Sequence, residues 1–284
     1  MEVNQIICGD CLEVMKDMED NSVDMVLTSP PYDNLRDYKT YTFDFESTAA
    51  QIYRVIKDGG VCVWVVGDQT IDGSETGTSF KQALYFKDVC GFNLHDTMIY
   101  QKDGCPFPSQ YRYASVFEYM FVFSKGKPKT FNPIKIPTKW FGVNKGSTYR
   151  QKQGKTLQKD VVINEYKIID NIWKIPGGYM KGSKEPVAFE HPAIFPEQLA
   201  KDHISSWSNP NDIIFDPCSG SGTTCKIAEM LGRRYIGIDI SEQYCQIARE
   251  RIKAIDSCVP VKEARKGQRS LFEKAENELK RANN

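Results

Sequence analysis

The sequence lacks the features of a membrane or secreted protein. It contains no run of about 18 consecutive apolar residues, which is the length that a membrane-spanning helix needs. Residues 1–20 do not combine a basic region with an apolar core, so we expect no secretory signal. We therefore expect a cytoplasmic protein that does not contact a membrane.

Histidines and paired cysteine motifs are scarce. The chain has three histidines and nine cysteines, and Cys8 and Cys11 form a single CxxC. A structural zinc site needs four Cys or His ligands, and no second CxxC or histidine pair supplies the rest. Cysteines without a secretory signal indicate a reducing compartment rather than a disulfide framework. We expect thiols packed at the end of a strand, and no metal.

Net charge is also absent, because 37 basic residues balance 37 acidic ones. The balance hides an asymmetry. Residues 125–185 contain 14 Lys or Arg against 4 Asp or Glu, so the remainder of the chain carries a deficit of ten. A locally basic segment on a neutral protein is typical of a phosphate-binding surface.

Strand and helix patterns alternate along the chain. The compact run VDMVLT (23–28) and the fully apolar run VCVWVV (61–66) predict buried parallel strands, and amphipathic segments between them predict helices. This alternation predicts an α/β fold with a doubly wound, mostly parallel sheet.

The composition divides the chain into four regions. Residues 125–185 are rich in Lys, Gly, Pro and aromatics and show no sustained period, which predicts a loop-rich insertion; a disordered linker is the alternative. We expect one catalytic domain formed by residues 1–124 and 186–262 on either side of this insertion. A charged tail follows at residues 263–284.

The stretch FDPCSGSGTT (215–224) predicts a glycine turn between a strand and a helix. Gly220 and Gly222 allow the backbone to approach a ligand closely. Asp239 ends the next strand, 23 residues after Asp216, where an acid commonly binds ribose hydroxyls. The dinucleotide fingerprint GxGxxG and the Walker motif are both missing. An acid before the turn suits a cofactor with an ammonium group. S-adenosylmethionine has both an ammonium group, for Asp216, and a ribose, for Asp239.

The stretch SPPY (29–32) follows the VDMVLT strand. Exocyclic amino groups of bases are poor nucleophiles, and acceptors such as the Ser29 hydroxyl and the Pro30 carbonyl would draw the nitrogen towards tetrahedral geometry. Pro30 and Pro31 stiffen the loop, and Tyr32 offers a face on which an extruded base can stack. An ordinary turn with a packed tyrosine is the alternative.

The chain resembles the S-adenosylmethionine-dependent DNA amino-methyltransferases of the circularly permuted beta group. The matching stretches cover nearly all of the chain outside the basic insertion and the tail: IICGDCLEVM, NSVDMVLTSPPY, GGVCVWVVGD, FEYMFVFSKG, HPAIFPEQLAKDHI, FDPCSGSGTT and RYIGIDISEQY. In that group the order runs from catalytic loop through target-recognition region to cofactor loop, as it does here. The resemblance implies a Rossmann-like methyltransferase fold in a bacterial or phage enzyme, alone or in a restriction-modification system.

The resemblance also assigns roles to individual residues. It implies that Ser29, Pro30, Pro31 and Tyr32 form the catalytic loop. It places the cofactor, and its product S-adenosylhomocysteine, among the following residues: Asp216, Pro217, Gly220, Ser221, Gly222 and Thr223 at the methionine part, Asp239 at the ribose, Asp10 and Cys11 near the adenine, and His191 and Phe195 on the other side of the pocket.

Two departures from the family pattern bear on the chemistry. Ser29 stands where many members carry Asp; in the family, Ser is associated mainly with cytosine N4 methylation and Asp with adenine N6 methylation. Cys218 stands where Phe is frequent. A Pro217–Cys218 pair also suggests the nucleophile of cytosine C5-methyltransferases, but it lies in the cofactor loop, and covalent attack on the ring has no other visible counterpart.

We therefore expect a cytosine-N4 methyltransferase that flips its target base out of double-stranded DNA, with adenine-N6 methylation and a non-catalytic DNA-binding protein as alternatives. In the basic insertion, the predicted DNA contacts are Trp140, Tyr149, Arg150 and Trp173. QRSLF (268–272) resembles a peptide that docks in a replication clamp, and an ordinary solvated helix face is its alternative. A homodimer is a further expectation.

Overall fold

Helices and strands alternate through the computed structural model, which describes residues 1–31, 43–104, 110–151 and 154–265. The strands are β1 (Gln5–Cys8), β2 (Val23–Thr28), β3 (Ile56–Val66), β4 (Thr70–Ile71), β5 (Ser74–Glu75), β6 (Asn93–Gln101), β7 (Phe117–Ser124), β8 (Lys135–Pro137), β9 (Gly142–Arg150), β10 (Thr156–Ile163), β11 (Tyr166–Ile168), β12 (Ile172–Lys174), β13 (Ile213–Asp216) and β14 (Arg234–Asp239). The helices are α1 (Cys11–Lys16), α2 (Phe45–Val55), α3 (Thr78–Asp88), α4 (Glu197–Trp207), α5 (Thr223–Met230), α6 (Glu242–Ser257) and α7 (Val261–Ala264), with a 3₁₀ helix at Pro186–Glu190.

Eight strands form the central sheet in the order β1-β14-β13-β2-β3-β7-β6-β12. The first five are parallel to one another, β7 is antiparallel to both β3 and β6, and β12 is parallel to β6. This mostly parallel sheet with helices packed against it confirms the predicted α/β class. The carboxyl ends of the parallel strands lie at one edge, which is where such sheets bind ligands.

The core explains why the apolar runs become central strands. In β3, the side chains of Cys62, Trp64 and Val66 are fully buried and pack in one cluster with residues of α1, α2 and α3. Helix α5 contacts α4, α6, β13 and β14, while α4 contacts β2, and α6 contacts β1 and β14. Strands that are buried on both faces have nearly continuous apolar sequences. The sequences of β2 and β3 therefore lack a regular alternation of apolar and polar residues.

Residues 132–171 form a separate compact unit, and residues 1–131 with the described residues from 172 onward form the other. The separate unit contains two antiparallel pairs, β9 with β10 and β8 with β11. The separate unit is narrower at both ends than the loop-rich region predicted over 125–185, and that prediction missed five strands, β8 to β12. Their Lys- and Gly-rich sequences concealed the alternation expected of strands.

Trp173 corrects one predicted DNA contact. It lies in β12, which pairs with β6 in the central sheet, and its side chain is only 8% exposed. Its ring packs against His203 at 4.6 Å between centroids. Trp173 is therefore a core residue of the catalytic domain, because β12 returns the chain to the main sheet earlier than predicted.

None of the helices within the described ranges combines the length and the apolar character that crossing a membrane requires.

Candidate active site

The motifs singled out in the sequence meet at the carboxyl edge of the central sheet. Asp216 ends β13, Asp239 ends β14, and Ser29 follows directly after β2. In the sheet order, β13 lies between β14 and β2. Strands at neighbouring positions are about 4.8 Å apart, so the cofactor motifs and the serine loop occupy adjacent positions despite their distance in sequence.

The glycine turn between β13 and α5 adopts conformations that other residues disfavour. Gly220 and Gly222 have φ values of +51° and +77°. A Cβ on Gly220 would lie 2.9 Å from the His191 ring, and one on Gly222 would lie 2.5 Å from the Ala248 Cβ. The turn is therefore built on two positions where a side chain has no room, and the backbone itself faces the ligand side.

Asp216 lies beneath this turn. Its side chain is 1% exposed, and one carboxylate oxygen accepts a hydrogen bond from the Cys218 amide at 3.1 Å. Burial raises the pKa of the Asp216 carboxyl to about 6, although the hydroxyls of Thr28 and Thr224 act to lower it. The carboxyl thus shapes the loop and places a titratable charge directly below it.

Asp239 joins the glycine turn to the next loop. Its two carboxylate oxygens accept hydrogen bonds from the Gly220 and Ser241 amides, both at 2.9 Å. Burial raises the pKa of this carboxyl, while those two amides lower it. Each carboxylate oxygen has a second lone pair, so Asp239 retains acceptor capacity for the two hydroxyls of a ribose.

His191 and Phe195 approach the glycine turn from the segment that precedes α4. The His191 ring meets the Tyr244 ring edge-on at 4.4 Å between centroids, and its Nδ1 accepts a hydrogen bond from the Ala193 amide at 3.1 Å. This orientation turns the imidazole towards Gly220, which explains why a Cβ there would collide with Nε2.

One cavity of about 1570 Å³ joins these groups. Of the predicted site residues, it is lined by Cys11, Ser29, Pro30, Pro31, His191, Phe195, Pro217, Gly220, Ser221, Thr223 and Asp239. Its other lining residues include Tyr100, Lys102, Glu118, Tyr179, Glu242 and Tyr244, none of which the sequence analysis named. The structure therefore brings the serine loop and the cofactor loop into one enclosure.

Three predicted residues, Asp10, Asp216 and Gly222, do not line the cavity. Asp216 and Gly222 support the turn from below, and Asp10 caps α1 by accepting a hydrogen bond from the Leu12 amide at 2.7 Å. Asp10 still determines where α1 begins and hence where Cys11 enters the cavity. Tyr32 lies outside the described residues.

Cys218 has the surroundings of an inert thiol. A hydrogen bond with the Cys11 thiol and burial raise the pKa of Cys218 well above its ordinary value. A cysteine nucleophile needs the thiolate form. The geometry therefore gives no support to the C5-type reaction that the Pro217–Cys218 pair suggested.

An ion-pair network behind the glycine turn was not anticipated. Arg251 of α6 is fully buried, and its guanidinium donates to Glu185 at 2.7 Å and to Glu197 at 2.8 Å. The ammonium of Lys226 contacts the same two carboxylates at 3.0 and 2.9 Å. Burial acts to raise the pKa of Glu197, but Lys226, Ser183 and Arg251 together hold it below its ordinary value.

The opposite wall of the cavity carries a second ion pair that sequence reasoning missed. The Lys102 ammonium lies 2.5 Å from the Glu118 carboxylate, at the carboxyl end of β6 and the start of β7. Burial, Glu118 and Asp103 raise the pKa of the neighbouring Tyr100 to about 12. The antiparallel β7 brings these residues to the same edge as Ser29, a relationship that only the sheet order reveals.

A family model described as DNA methylase, whose name covers N6 and N4 methylation, matches residues 23–250. The chain belongs to this family of S-adenosylmethionine-dependent DNA amino-methyltransferases. The match spans the serine loop, the separate unit and the glycine turn.

Known proteins agree with this assignment. The methylase is 55% identical over 239 residues to the orphan methyltransferase M.BamHII of Bacillus amyloliquefaciens, which covers 82% of this chain and 90% of the relative. Among solved structures, the M1.HpyAVI–SAM complex is 26% identical with a TM-score of 0.57, covering 87% of this chain and 98% of the other. The cytosine-N4-specific PvuII DNA methyltransferase, at 21% identity, shares the fold with a TM-score of 0.59 over 87% and 85% of the two chains.

Proposed function

We propose that this methylase transfers a methyl group from S-adenosylmethionine to the exocyclic N4 amino group of cytosine in double-stranded DNA. The observation that carries the proposal is Ser29, which lines the same cavity as Asp239 and the glycine turn. The name of the PvuII enzyme provides a precedent for cytosine N4 on this fold. Adenine N6 is the second candidate, since the matched family includes both chemistries.

The proposed role of Ser29 is to accept a hydrogen bond from the target amino group. Its hydroxyl and the Pro30 carbonyl would accept hydrogen bonds from the two amino protons, which moves the nitrogen lone pair out of conjugation with the ring. A hydroxyl is a poor proton sink compared with a carboxylate, and this suits an amino group that needs orientation rather than a strong base. The target base must first leave the duplex, which costs a few kcal/mol.

The residues around the cavity fit the cofactor. When bound, S-adenosylmethionine supplies a methyl group on a cationic sulfur. Asp239 would accept the ribose hydroxyls, and the Asp216 charge beneath the turn would attract the ammonium group of the methionine part. The turn can pack against His191 and Ala248 because Gly220 and Gly222 carry no side chain.

The separate unit of residues 132–171 supplies the proposed DNA-recognition surface. Trp140 is 80% exposed, and Arg150 at the end of β9 is exposed as well. Exposed aromatic and arginine side chains suit stacking and base-edge contacts, and the surrounding lysines suit phosphates. The DNA contact of Tyr149 stays a prediction. The M.BamHII relative is an orphan methyltransferase, which supports an enzyme without a restriction partner.

Tritium transfer from labelled S-adenosylmethionine to unmethylated plasmid DNA tests the proposed function. The wild-type protein should label the DNA, and Ser29→Ala should lower kcat by about 10²-fold or more, because an acceptor aimed at the reacting group is lost. Ser22→Ala, on the surface before β2, is the matched control and should retain activity. No label with wild-type protein would contradict catalysis, and full activity of Ser29→Ala would contradict the role of Ser29.

A further inference from the structure

Two fully exposed tyrosines stand out in the connection between β6 and β7. Tyr111 is 95% exposed and Tyr113 is 101% exposed, so neither ring is buried by the protein. Large aromatic rings are mostly at least half-buried in folded domains, and exposed aromatics in close succession commonly mark a binding surface. This pair belongs to none of the groups assigned above.

The connection starts and ends at the wall of the active-site cavity. Lys102, Asp103 and Gly104 line the cavity before it, and Glu118 lines it afterwards. The Lys102 amide donates to the Val116 carbonyl at 2.7 Å, which closes the base of the loop. Tyr113 is three residues from Val116 and therefore within about 10 Å of this closure. The hairpin of β4 and β5, which Arg112 contacts, follows the carboxyl end of β3. Both tyrosines therefore belong to the edge of the sheet that carries the cavity.

Arg112, between the two tyrosines, holds their backbone in place. Its guanidinium donates to the Gly73 carbonyl at 2.7 Å and to the Thr70 hydroxyl at 3.1 Å, on the hairpin formed by β4 and β5. The two rings are thus presented from an anchored segment instead of a freely moving one. Ordering such rings on a ligand costs less entropy when the backbone is already fixed.

We propose that Tyr111 and Tyr113 form a DNA-contact surface at the sheet edge that carries the cavity, and that they stack on the bases left unstacked when the target base enters the cavity. The inference rests on the proposed function, because it takes the ligand of the cavity to be a flipped base. Every base presents a π-face to an aromatic ring, so this contact would favour distorted DNA without reading its sequence. The tyrosine hydroxyls are not needed for it.

Fluorescence anisotropy with two labelled duplexes, one intact and one with a central abasic position, tests the inference. Wild-type protein should bind the abasic duplex more tightly, since that duplex exposes base faces in advance. Tyr111→Ala/Tyr113→Ala should weaken abasic-duplex binding by about fivefold or more and lose the preference. Tyr111→Phe/Tyr113→Phe should keep both. The thermal midpoint should change little in each variant because both side chains are almost fully exposed.

Val89→Ala is the matched control. Val89 is 65% exposed at the end of α3, and the chain then enters β6 at the edge of the sheet opposite the cavity. A wild-type protein without any preference, or an alanine double variant that retains it, would overturn the inference. Failure of the proposed function would look different: the wild-type protein would transfer no methyl group to plasmid DNA, whatever the two duplexes show.

Discussion

The guanidinium of Arg251 donates to the backbone carbonyl of Ser221 at 2.6 Å, from a side chain that no solvent reaches. The same group contacts the Thr223 hydroxyl at 3.2 Å. Helix α6 therefore holds the glycine turn from behind. Because Glu185 and Glu197 on the same network flank the His191 segment, one cation ties together two walls of the cofactor cavity.

Replacing Arg251 tests this relationship. Arg251→Met leaves two carboxylates facing one lysine, and breaking a buried pair in this way costs about 3–5 kcal/mol of unfolding free energy. Arg251→Lys restores charge without the planar fork and should recover part of the stability but not of the cofactor affinity. Chemical denaturation and calorimetric titration with S-adenosylmethionine measure the two effects.

Arg249→Met provides the comparison within the same helix. The Arg249–Glu242 pair has a 2.8 Å contact but is largely exposed, and such pairs contribute about 0–1 kcal/mol. If the Arg251 and Arg249 variants lose equal stability, or if Arg251→Lys binds the cofactor as well as wild type does, the proposed positioning role is wrong.

Gly222→Ala tests the space around the glycine turn. Its φ is +77°, and the added Cβ would lie 2.5 Å from the Ala248 Cβ, so we expect a loss of roughly 1–3 kcal/mol and weaker cofactor binding. Gly73→Ala is a close control, since φ there is +80° but nothing lies within 4 Å of the Cβ. Equal losses of stability in Gly222→Ala and Gly73→Ala would mean that backbone strain alone, and not the contact with Ala248, matters at Gly222.

Asp216 predicts a pH dependence of cofactor binding and stability. Because its pKa is raised to about 6, the neutral form is favoured in the folded state, and its contribution to stability is lost as pH rises through that value. Cofactor affinity should rise over the same interval as the carboxylate charge appears. Asp216→Asn should reduce both slopes, leaving the contribution of Asp239, whose pKa is also raised. An unchanged affinity profile in the variant would contradict this account.

The separate unit predicts a steep salt dependence of DNA binding. Each phosphate contact releases counterions, so log Kd should rise with log salt by about 0.9 per contact. Lys135→Ala/Lys139→Ala should lower that slope, whereas Lys16→Ala/Lys87→Ala, at exposed positions on helices α1 and α3, should leave it intact. An identical slope in both double variants would remove residues 132–171 from the DNA interface.

Much of the fold was readable because apolar runs mark buried strands regardless of what they pack against. The run VDMVLT coincides with β2, and RYIGID with β14. The glycine turn and Asp239 were readable for a different reason, since their backbone conformation and charge are chemical requirements of the ligand. Ser29 could be identified because it directly follows β2, a strand that the sequence predicts.

The rest depended on contacts between distant parts of the chain. In the sequence, Arg251 belongs to a charged helix and has the pattern of a solvated residue. Its burial depends on Glu185 and Glu197, which are distant in sequence. Lys102 and Glu118 become cavity residues only because β7 runs antiparallel between β3 and β6. Trp173 was misassigned because its basic neighbourhood concealed a three-residue strand of the main sheet. QRSLF lies outside the described residues, and the clamp and homodimer expectations stay predictions.

The identity of the methylated nucleoside tests the central claim most directly. Wild-type protein is incubated with S-adenosylmethionine and unmethylated plasmid DNA, the DNA is digested to nucleosides, and the products are separated by mass spectrometry. We predict N4-methyldeoxycytidine, and its loss in Ser29→Ala. N6-methyldeoxyadenosine as the only methylated product would contradict the assignment of Ser29 to cytosine chemistry.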